Sequence, residues 1–373
     1  KSRMASCVLA LLLTACGSDK PGAVVQDFAI LAQAAEGYTH ATPGRRIVFP
    51  ADHGAHPDYR IEWWYLTANL QDAQGRPHGA QWTLFRTAVR PPGEAAPHNP
   101  WQTGQVYMAH FALTWPDGHR GFQRYARGGD HGGETQSAVR AQPFAAWLDD
   151  WSLASTGEEW LPLEAQAAQD GFAMQLKLES DRPPVLQGDQ GYSQKHPGGG
   201  GSHYYSQPFL EASGWLEIDG RRVEVSGQAW LDREWSSQFL QADQQGWDWI
   251  ALHLDSGEKL MLFQLRPQPG APGGAYRHAV LIGPDGNKRE IGPDELELEA
   301  GGYQQVAGRR LPLNWNIRLP SLGRELTVAA LHPDQWMDVD FPYWEGAVTA
   351  SGSGPGERGV GYMELTGYPE THR

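Results

Sequence analysis

The chain is poor in cysteine. Its 373 residues contain two, Cys7 and Cys16, so neither a disulfide framework nor a zinc site built on several thiolates can form. Basic charge is in deficit, with 30 Lys and Arg against 44 Asp and Glu and a formal net charge of −14. A general nucleic-acid binder needs a basic surface and is excluded. No apolar run is long enough to span a bilayer as a helix. Four signatures are missing: G-x-S-x-G, a Walker A sequence, H-E-x-x-H, and a G-x-G-x-x-G opening a helix. Their absence argues against a serine hydrolase of the common type, a nucleotide enzyme and a zincin. Helical periodicity is scarce, and only the stretches 24–35, 141–150 and 293–298 read as helical.

Rings and turn formers are abundant. Sixteen Trp, 13 Tyr and 11 Phe accompany 45 Gly and 27 Pro. Short aromatic and β-branched runs alternate with Gly, Pro and Asp-Gly punctuation, which is the pattern of strands and tight turns. Strands are expected over 61–70, 81–89, 106–115, 172–178, 215–218, 222–230, 247–254, 259–266 and 278–282. Turns are expected at Asp117-Gly118, Asp219-Gly220, Ser256-Gly257 and Asp285-Gly286. The fold class that follows is all-β and antiparallel, as sandwiches or barrels.

The N-terminus resembles a bacterial lipoprotein signal. Lys1 and Arg3 precede the apolar run CVLALLL, and LTAC ends in Cys16 where a lipobox cysteine would stand. On this reading residues 1–16 are a lipoprotein signal with its lipobox at Cys16, and cleavage before Cys16 leaves it as the first mature residue, acylated and anchoring the protein in the cell envelope. Gly17 after it implies the outer membrane, facing the periplasm. Loss of Lys1 and Arg3 takes the formal charge from −14 to −16. Residues 17–45 read as a tether, and the glycine run in HPGGGGS lies near a domain boundary placed at about 205. The expected division is 46–204 and 205–373.

Two segments, SHYYSQPF and GQAWLDREWSSQ, set ionisable groups among rings. Side chains alternate faces along a strand. Trp230, Asp232 and Glu234 therefore share one face, and Leu231, Arg233 and Trp235 the other. His203 and Tyr205 share a face, as do Glu62 and Trp64. A carboxyl buried beside rings can be pushed into the neutral range and serve as a general acid. Alternatively Arg233, Arg86 or His203 neutralises Asp232 and Glu234, giving a paired polar core that fixes strand register. His53 with His56, and Asp130, His131 and Glu134, have donors at loose spacing, but no metal site is expected from them.

At these residues the chain resembles a known family: the two-domain, lipocalin-like proteins that include carotenoid 1,2-hydratase (hydroxyneurosporene synthase), AttH and the branch labelled predicted secreted hydrolases. The segments that carry the resemblance are FPADHGAHPDYRIEWWYLTANL, QWTLFRTAV, YMAHFAL, GYSQKH, SHYYSQPFL, GQAWLDREWSSQ, GWDW, YWEG and GYMELTGY, which run from Phe49 to Tyr368. The resemblance implies two lipocalin-like β-barrel or sandwich domains packed together and no cofactor. It implies Asp232 as the acid that protonates a carbon–carbon double bond, with His203 as its partner. Tyr205, Trp230, Glu62, Trp64, Arg86, His110, Glu234 and Trp249 become candidate ligand-binding residues. Tyr205 stands where the hydratases have Trp and Trp230 where they have Tyr, which moves a hydroxyl within the aromatic wall. Two functions follow from the resemblance. One is an envelope enzyme hydrating or hydrolysing an apolar substrate. The other is a non-catalytic lipid carrier working with components of an ABC exporter. A sugar-binding module would instead need an open aromatic face.

Overall fold

The computed structural model describes residues 35–93, 103–128 and 135–371. Cys7, Cys16, the stretch 24–34 and the Asp130, His131 and Glu134 group lie outside these residues. The described residues hold no α-helix, only 3-10 turns at Ala51–His53, Pro293–Glu295 and Pro320–Leu322.

The strands follow the alternation of the sequence. The first four are β1 (Ile61–Asp72), β2 (Pro77–Ala88), β3 (Gln105–Trp115) and β4 (Gly118–Arg127). Five shorter ones follow: β5 (Ser137–Ala141), β6 (Phe144–Leu148), β7 (Trp151–Ser155), β8 (Leu163–Gln169) and β9 (Phe172–Glu179). Next come β10 (Val185–Leu186), β11 (Tyr192–Gln194) and the long hairpin β12 (Gly201–Ile218) and β13 (Arg221–Ser236). All thirteen belong to one antiparallel sheet, in which β13 lies between β1 and β12. Asp219 and Gly220, with φ of 51° and 72°, close the β12–β13 hairpin. Both angles are positive, as a tight primed turn requires.

The second sheet is built from β14 (Gln244–Leu254), β15 (Lys259–Pro267), β16 (Tyr276–Ile282), β17 (Lys288–Ile291) and β18 (Glu297–Val306). It is completed by β19 (Arg309–Leu319), β20 (Arg324–Ala330), β21 (Trp336–Met337), β22 (Tyr343–Gly352) and β23 (Gly359–Leu365). The chain changes sheets between Ser236 and Gln244. The boundary expected at 205 therefore falls inside β12, and strands 201–236 belong to the first sheet. The glycine run is a loop, as expected, but it joins β11 to β12 within the first sheet rather than lying where the chain changes sheets. The expected helix over 141–150 is a hairpin strand, because Phe144, Ala146 and Leu148 are buried with period two. The expected helix over 293–298 shrinks to one 3-10 turn.

Each sheet curls around its own apolar core. Trp64, Leu84, Phe111, Leu153 and Leu176 are among those filling the first, and Leu252, Leu313, Trp315 and Met363 are among those filling the second. A third cluster joins the outer faces of the two sheets through Tyr65, Tyr204, Trp230, Trp249, Phe263 and Tyr362. The sheets approach closely at Gly79, where a Cβ would clash with the Tyr362 hydroxyl. Asn69 Nδ2 donates across the same seam to the Gly361 carbonyl at 2.8 Å.

Candidate functional site

Strand register decides which ionisable groups meet. In β12–β13, Asp232 lies opposite Ser206, and Trp235 opposite His203. In β1–β13, Asp232 lies opposite Tyr65 and Arg233 opposite Trp64. Directly paired residues share a face. Trp230, Asp232, Glu234, Tyr204, Ser206, Trp63 and Tyr65 therefore face the second sheet. Arg233, Trp235, His203, Tyr205, Glu62, Trp64 and Arg86 face the other way. The period-two grouping within each strand holds, but Asp232 and His203 are on opposite faces and do not form a pair.

The face toward the second sheet borders a cavity of about 540 Å³. Trp63, Phe85, Met108, Phe239, Trp247, Trp249 and Phe263 supply apolar wall, while Asp232, Glu234, Lys195, His110, Tyr343, Glu345 and Glu364 supply polar groups. Among the described residues no tryptophan is an exposed large side chain, so these rings enclose a pocket rather than an open sugar-stacking face.

Asp232 is 3% exposed. Its Oδ2 accepts from the Tyr204 hydroxyl at 2.6 Å, and its Oδ1 accepts from the Ser206 hydroxyl and from Trp230 Nε1, the latter at 2.6 Å. Burial pushes the carboxyl up to about 7 from an ordinary 3.8, although these three donors oppose the shift. Donors that favour the charged form lose here to desolvation, because no cation pairs with Asp232 among the described residues. Trp230 thus touches the acid from beside it, and its ring is not part of the cavity wall. Glu234 is different. Lys195 Nζ lies 2.9 Å from its Oε1, and the Ser202 hydroxyl donates to the same oxygen. Lys195 also lies 4.1 Å from the Phe263 ring centroid.

Across the cavity, Glu345 and Glu364 are direct cross-strand neighbours on β22 and β23. Glu345 accepts from the Tyr65 hydroxyl and from Gln81 Nε2, the latter at 2.9 Å. Trp247 Nε1 donates to Glu364 Oε1 at 3.1 Å. Burial, with Glu364 beside it, holds the Glu345 carboxyl well above the usual range. Burial pushes Glu364 up to about 8, aided by Glu234 and Asp232. His110 is held neutral, pushed by burial down to about 4. Gln123 Oε1 accepts from the Asp340 N–H at 3.1 Å and is therefore the oxygen that faces His110 Nε2 at 3.2 Å. His110 Nε2 is then the donor, and Nδ1, 2.9 Å from the Tyr343 hydroxyl, is the acceptor.

The opposite face holds a charge network. Glu62 receives hydrogen bonds from Arg86, Arg233 and the His56 backbone. Burial alone would raise its carboxyl, but Arg233 and Arg86 outweigh it and hold Glu62 well below the usual range. His56 presents Nδ1 to Glu62 at 3.0 Å and Nε2 to Asp52 at 2.9 Å, and its ring stacks on Trp235. Arg233 lies over Trp64 at 3.9 Å. His53 meets the Tyr205 hydroxyl at 2.7 Å and stacks on Trp160. His203 is buried among Tyr59, Tyr192 and Trp235, beside the Gly191 backbone, and burial pushes it down to about 4. Glu62 and Arg86 also line the cavity, yet the Glu62 carboxylate is taken by Arg86 and Arg233, and the Arg86 guanidinium by Glu62, Gln105 and the His56 and Tyr59 carbonyls. Of the expected site residues, the structure gathers Asp232, Glu234, His110 and Trp249 at the cavity, with Trp230 behind Asp232. Tyr205, Trp64 and His203 belong to the network face. Among the described residues no group of His, Cys, Asp or Glu is arranged to hold a metal ion.

Sequence reasoning missed Tyr65, Tyr204, Ser206, Lys195, Glu345 and Glu364. A usable signal was present for two of them, since YWEG and GYMELTGY each set a glutamate among aromatic strand residues.

The AttH-like family model matches residues 40–368. A crystal structure assigned to AttH from Nitrosomonas europaea is similar at 35% identity and a TM-score of 0.76, over 89% of this chain and 100% of that one. Kievitone hydratase from Nectria haematococca is similar in fold, with a TM-score of 0.63 at 15% identity, over 91% of this chain and 98% of that one. CghA, solved with Sch210972, has a TM-score of 0.53 at 12% identity over the same shares. No curated protein matches the sequence. Two curled antiparallel sheets, an interface cavity and a match over most of the chain agree: the chain belongs to the AttH-like family.

Proposed function

We propose that the protein binds an apolar, unsaturated ligand in the cavity between its sheets and adds water to it, with Asp232 as the general acid. The observation that carries this reading is a buried carboxyl with three hydrogen-bond donors and, among the described residues, no cation, on the wall of an aromatic cavity. A proton held there near neutrality is available to a weakly basic double bond. In the proposed step the Asp232 O–H proton moves to one alkene carbon. The neighbouring carbon becomes a cation, which the negative faces of Trp63 and Trp249 would stabilise. A water oxygen bonds to the cation, and a proton from that water returns to the Asp232 carboxylate. One water is added and the acid is restored. No cofactor is needed in this scheme.

Tyr204 and Ser206, rather than His203, would orient the acid, since they share its face and donate to it. A hydratase with this fold, kievitone hydratase, supports the reaction class. The proposal includes a lipid anchor at Cys16, placing the cavity in the cell envelope, where an ABC exporter component could deliver or receive the ligand.

The test is solvent extraction and mass spectrometry of small molecules bound to wild type and to Asp232→Asn, both expressed in the envelope. An unsaturated compound in the variant, and the same compound heavier by one water in the wild type, is the expected result. The same unmodified lipid in both would replace the enzyme reading with a carrier.

A further inference from the structure

We propose that Glu364 is a second functional acid of this cavity, presenting its carboxyl O–H from the wall opposite Asp232 to an oxygen acceptor on the ligand. The inference rests on the reading of the cavity as a ligand site and adds a requirement on the ligand's chemistry.

Glu364 and Glu345 stand directly opposite each other on neighbouring strands. Like charges in that position repel, and two carboxyls side by side, Glu345 buried and Glu364 half-buried, do not both ionise. Asp232 apart, buried carboxylates elsewhere among the described residues are given a cation, as Glu62 is given Arg86 and Arg233 and Glu234 is given Lys195. Among the described residues no lysine, arginine or histidine forms an ion pair with Glu345 or Glu364. A proton must then serve in place of the missing cation.

The two carboxyls differ in what they face. Donors converge on Glu345, through the Tyr65 hydroxyl and Gln81 Nε2. Among the described residues Glu364 accepts one hydrogen bond, from Trp247 Nε1 on Oε1. The residue lines the cavity, and its other oxygen has no described donor. The desolvation that raises Glu364 to about 8 keeps a proton there at neutral pH.

The position also relates Glu364 to the first acid. Trp249 is the direct neighbour of Glu364 on β14. Its Nε1 reaches the Tyr204 hydroxyl at 3.4 Å, and that hydroxyl donates to Asp232. A ligand lying along Trp249 would meet Asp232 at one side and Glu364 at the other. Lys195 adds a third donor on the same cavity, with one carboxylate partner for its three N–H groups. At neutral pH the polar wall is therefore rich in donors. It fits an uncharged hydrophobe bearing a carbonyl or ether oxygen some distance from its double bond. A bare hydrocarbon would leave Glu364 unused, and a carboxylate would meet several carboxyls and a lysine already paired.

Dicyclohexylcarbodiimide tests this on the folded chain without knowledge of the natural ligand. The reagent is apolar; a protonated carboxyl gives its proton to a carbodiimide nitrogen and its oxygen to the central carbon, and the resulting O-acylisourea shifts its acyl group from oxygen to nitrogen to leave a stable N-acylurea that peptide mass spectrometry locates. Glu364 and Asp232 should both be labelled, and labelling of Glu364 should fall about tenfold between about pH 7 and about pH 9 as the acid ionises. Two further probes, 2-dodecanone and dodecane, differ in one oxygen. The ketone should slow labelling of Glu364 several-fold more than dodecane does, and Glu364→Gln should abolish the label. Labelling of Asp232 without Glu364 would overturn this inference and leave the proposed function intact. Equal protection by ketone and alkane would also overturn it. Labelling of Glu364 alone would sustain the inference and remove Asp232 as the acid. Labelling of neither would end both.

Discussion

Adjacent residues of β13 meet two opposite solutions for a buried charge. Arg233 points into the first sheet's curl, where Glu62 meets both Arg233 and Arg86 and the His56 ring bridges Glu62 and Asp52. Asp232 points outward to the sheet seam, where it finds a phenol, a serine and an indole but no cation. The depth of burial is alike, with Glu62 at 0% and Asp232 at 3% exposure. The direction of the pKa shift is reversed, downward for Glu62 and upward for Asp232. Burial alone therefore does not distinguish a structural carboxylate from a reactive acid. The presence or absence of a counter-charge does.

The largest expected effect is on catalysis. Asp232→Asn keeps the side chain's size and removes its proton, so turnover of the compound extracted from the protein should fall by ~10²–10⁴. His203→Gln, on the opposite face, should leave turnover within about twofold, since a general acid–base group would lose the larger factor. A loss comparable to that of Asp232→Asn would break the division into two faces. Product formation followed by mass spectrometry reads both variants.

The next effect is on stability. Glu62→Gln would leave Arg86 and Arg233 buried without their carboxylate. Removing one partner of a buried ion pair destabilises by ~3–5 kcal/mol, measurable by urea unfolding. If Glu62→Gln were neutral, the network would not be a structural device.

The two faces should also titrate in opposite senses. Glu62 has its folded pKa lowered from 4.5. The stability it contributes is full above 4.5 and is lost as pH falls below that value. Asp232 has its folded pKa raised from 3.8 to about 7. The native state then holds this proton more tightly, and stability declines as pH rises from 3.8 through about 7. Urea unfolding at a series of pH values should show the acid limb flattened in Glu62→Gln and the limb toward neutrality flattened in Asp232→Asn. The smallest effect is expected from Trp230→Phe. It removes one donor that favours the ionised carboxylate, so the Asp232 midpoint should move up by less than a unit. Carbodiimide labelling of Asp232 against pH reads that shift.

Much of the fold was legible in the sequence because strands announce themselves locally. The runs at 61–70, 247–254 and 259–266 lie within the observed strands, and Asp219-Gly220 forms the turn its residues favour. The alternation along WLDREW placed Asp232 and Arg233 on opposite faces correctly. What the alternation could not supply is register between strands. A pairing of His203 with an even-numbered residue of β13 would have put it beside Asp232, but it pairs with Trp235, and a one-residue slip exchanges every face. The same limit hid the meeting of two similar clusters. EWWY and YWEG echo each other in sequence, and the structure joins them through the Tyr65 hydroxyl and Glu345. Residues distant in the chain become partners only when the two sheets dock.

The most direct test of the central claim is difference infrared spectroscopy of wild type against Asp232→Asn across the neutral range. A protonated carboxyl carbonyl band should be present in the wild type, absent from the variant, and lost with a midpoint near 7. A band that never appears, or a midpoint at the ordinary 3.8, would mean that Asp232 is ionised at neutral pH and is not the acid of this site.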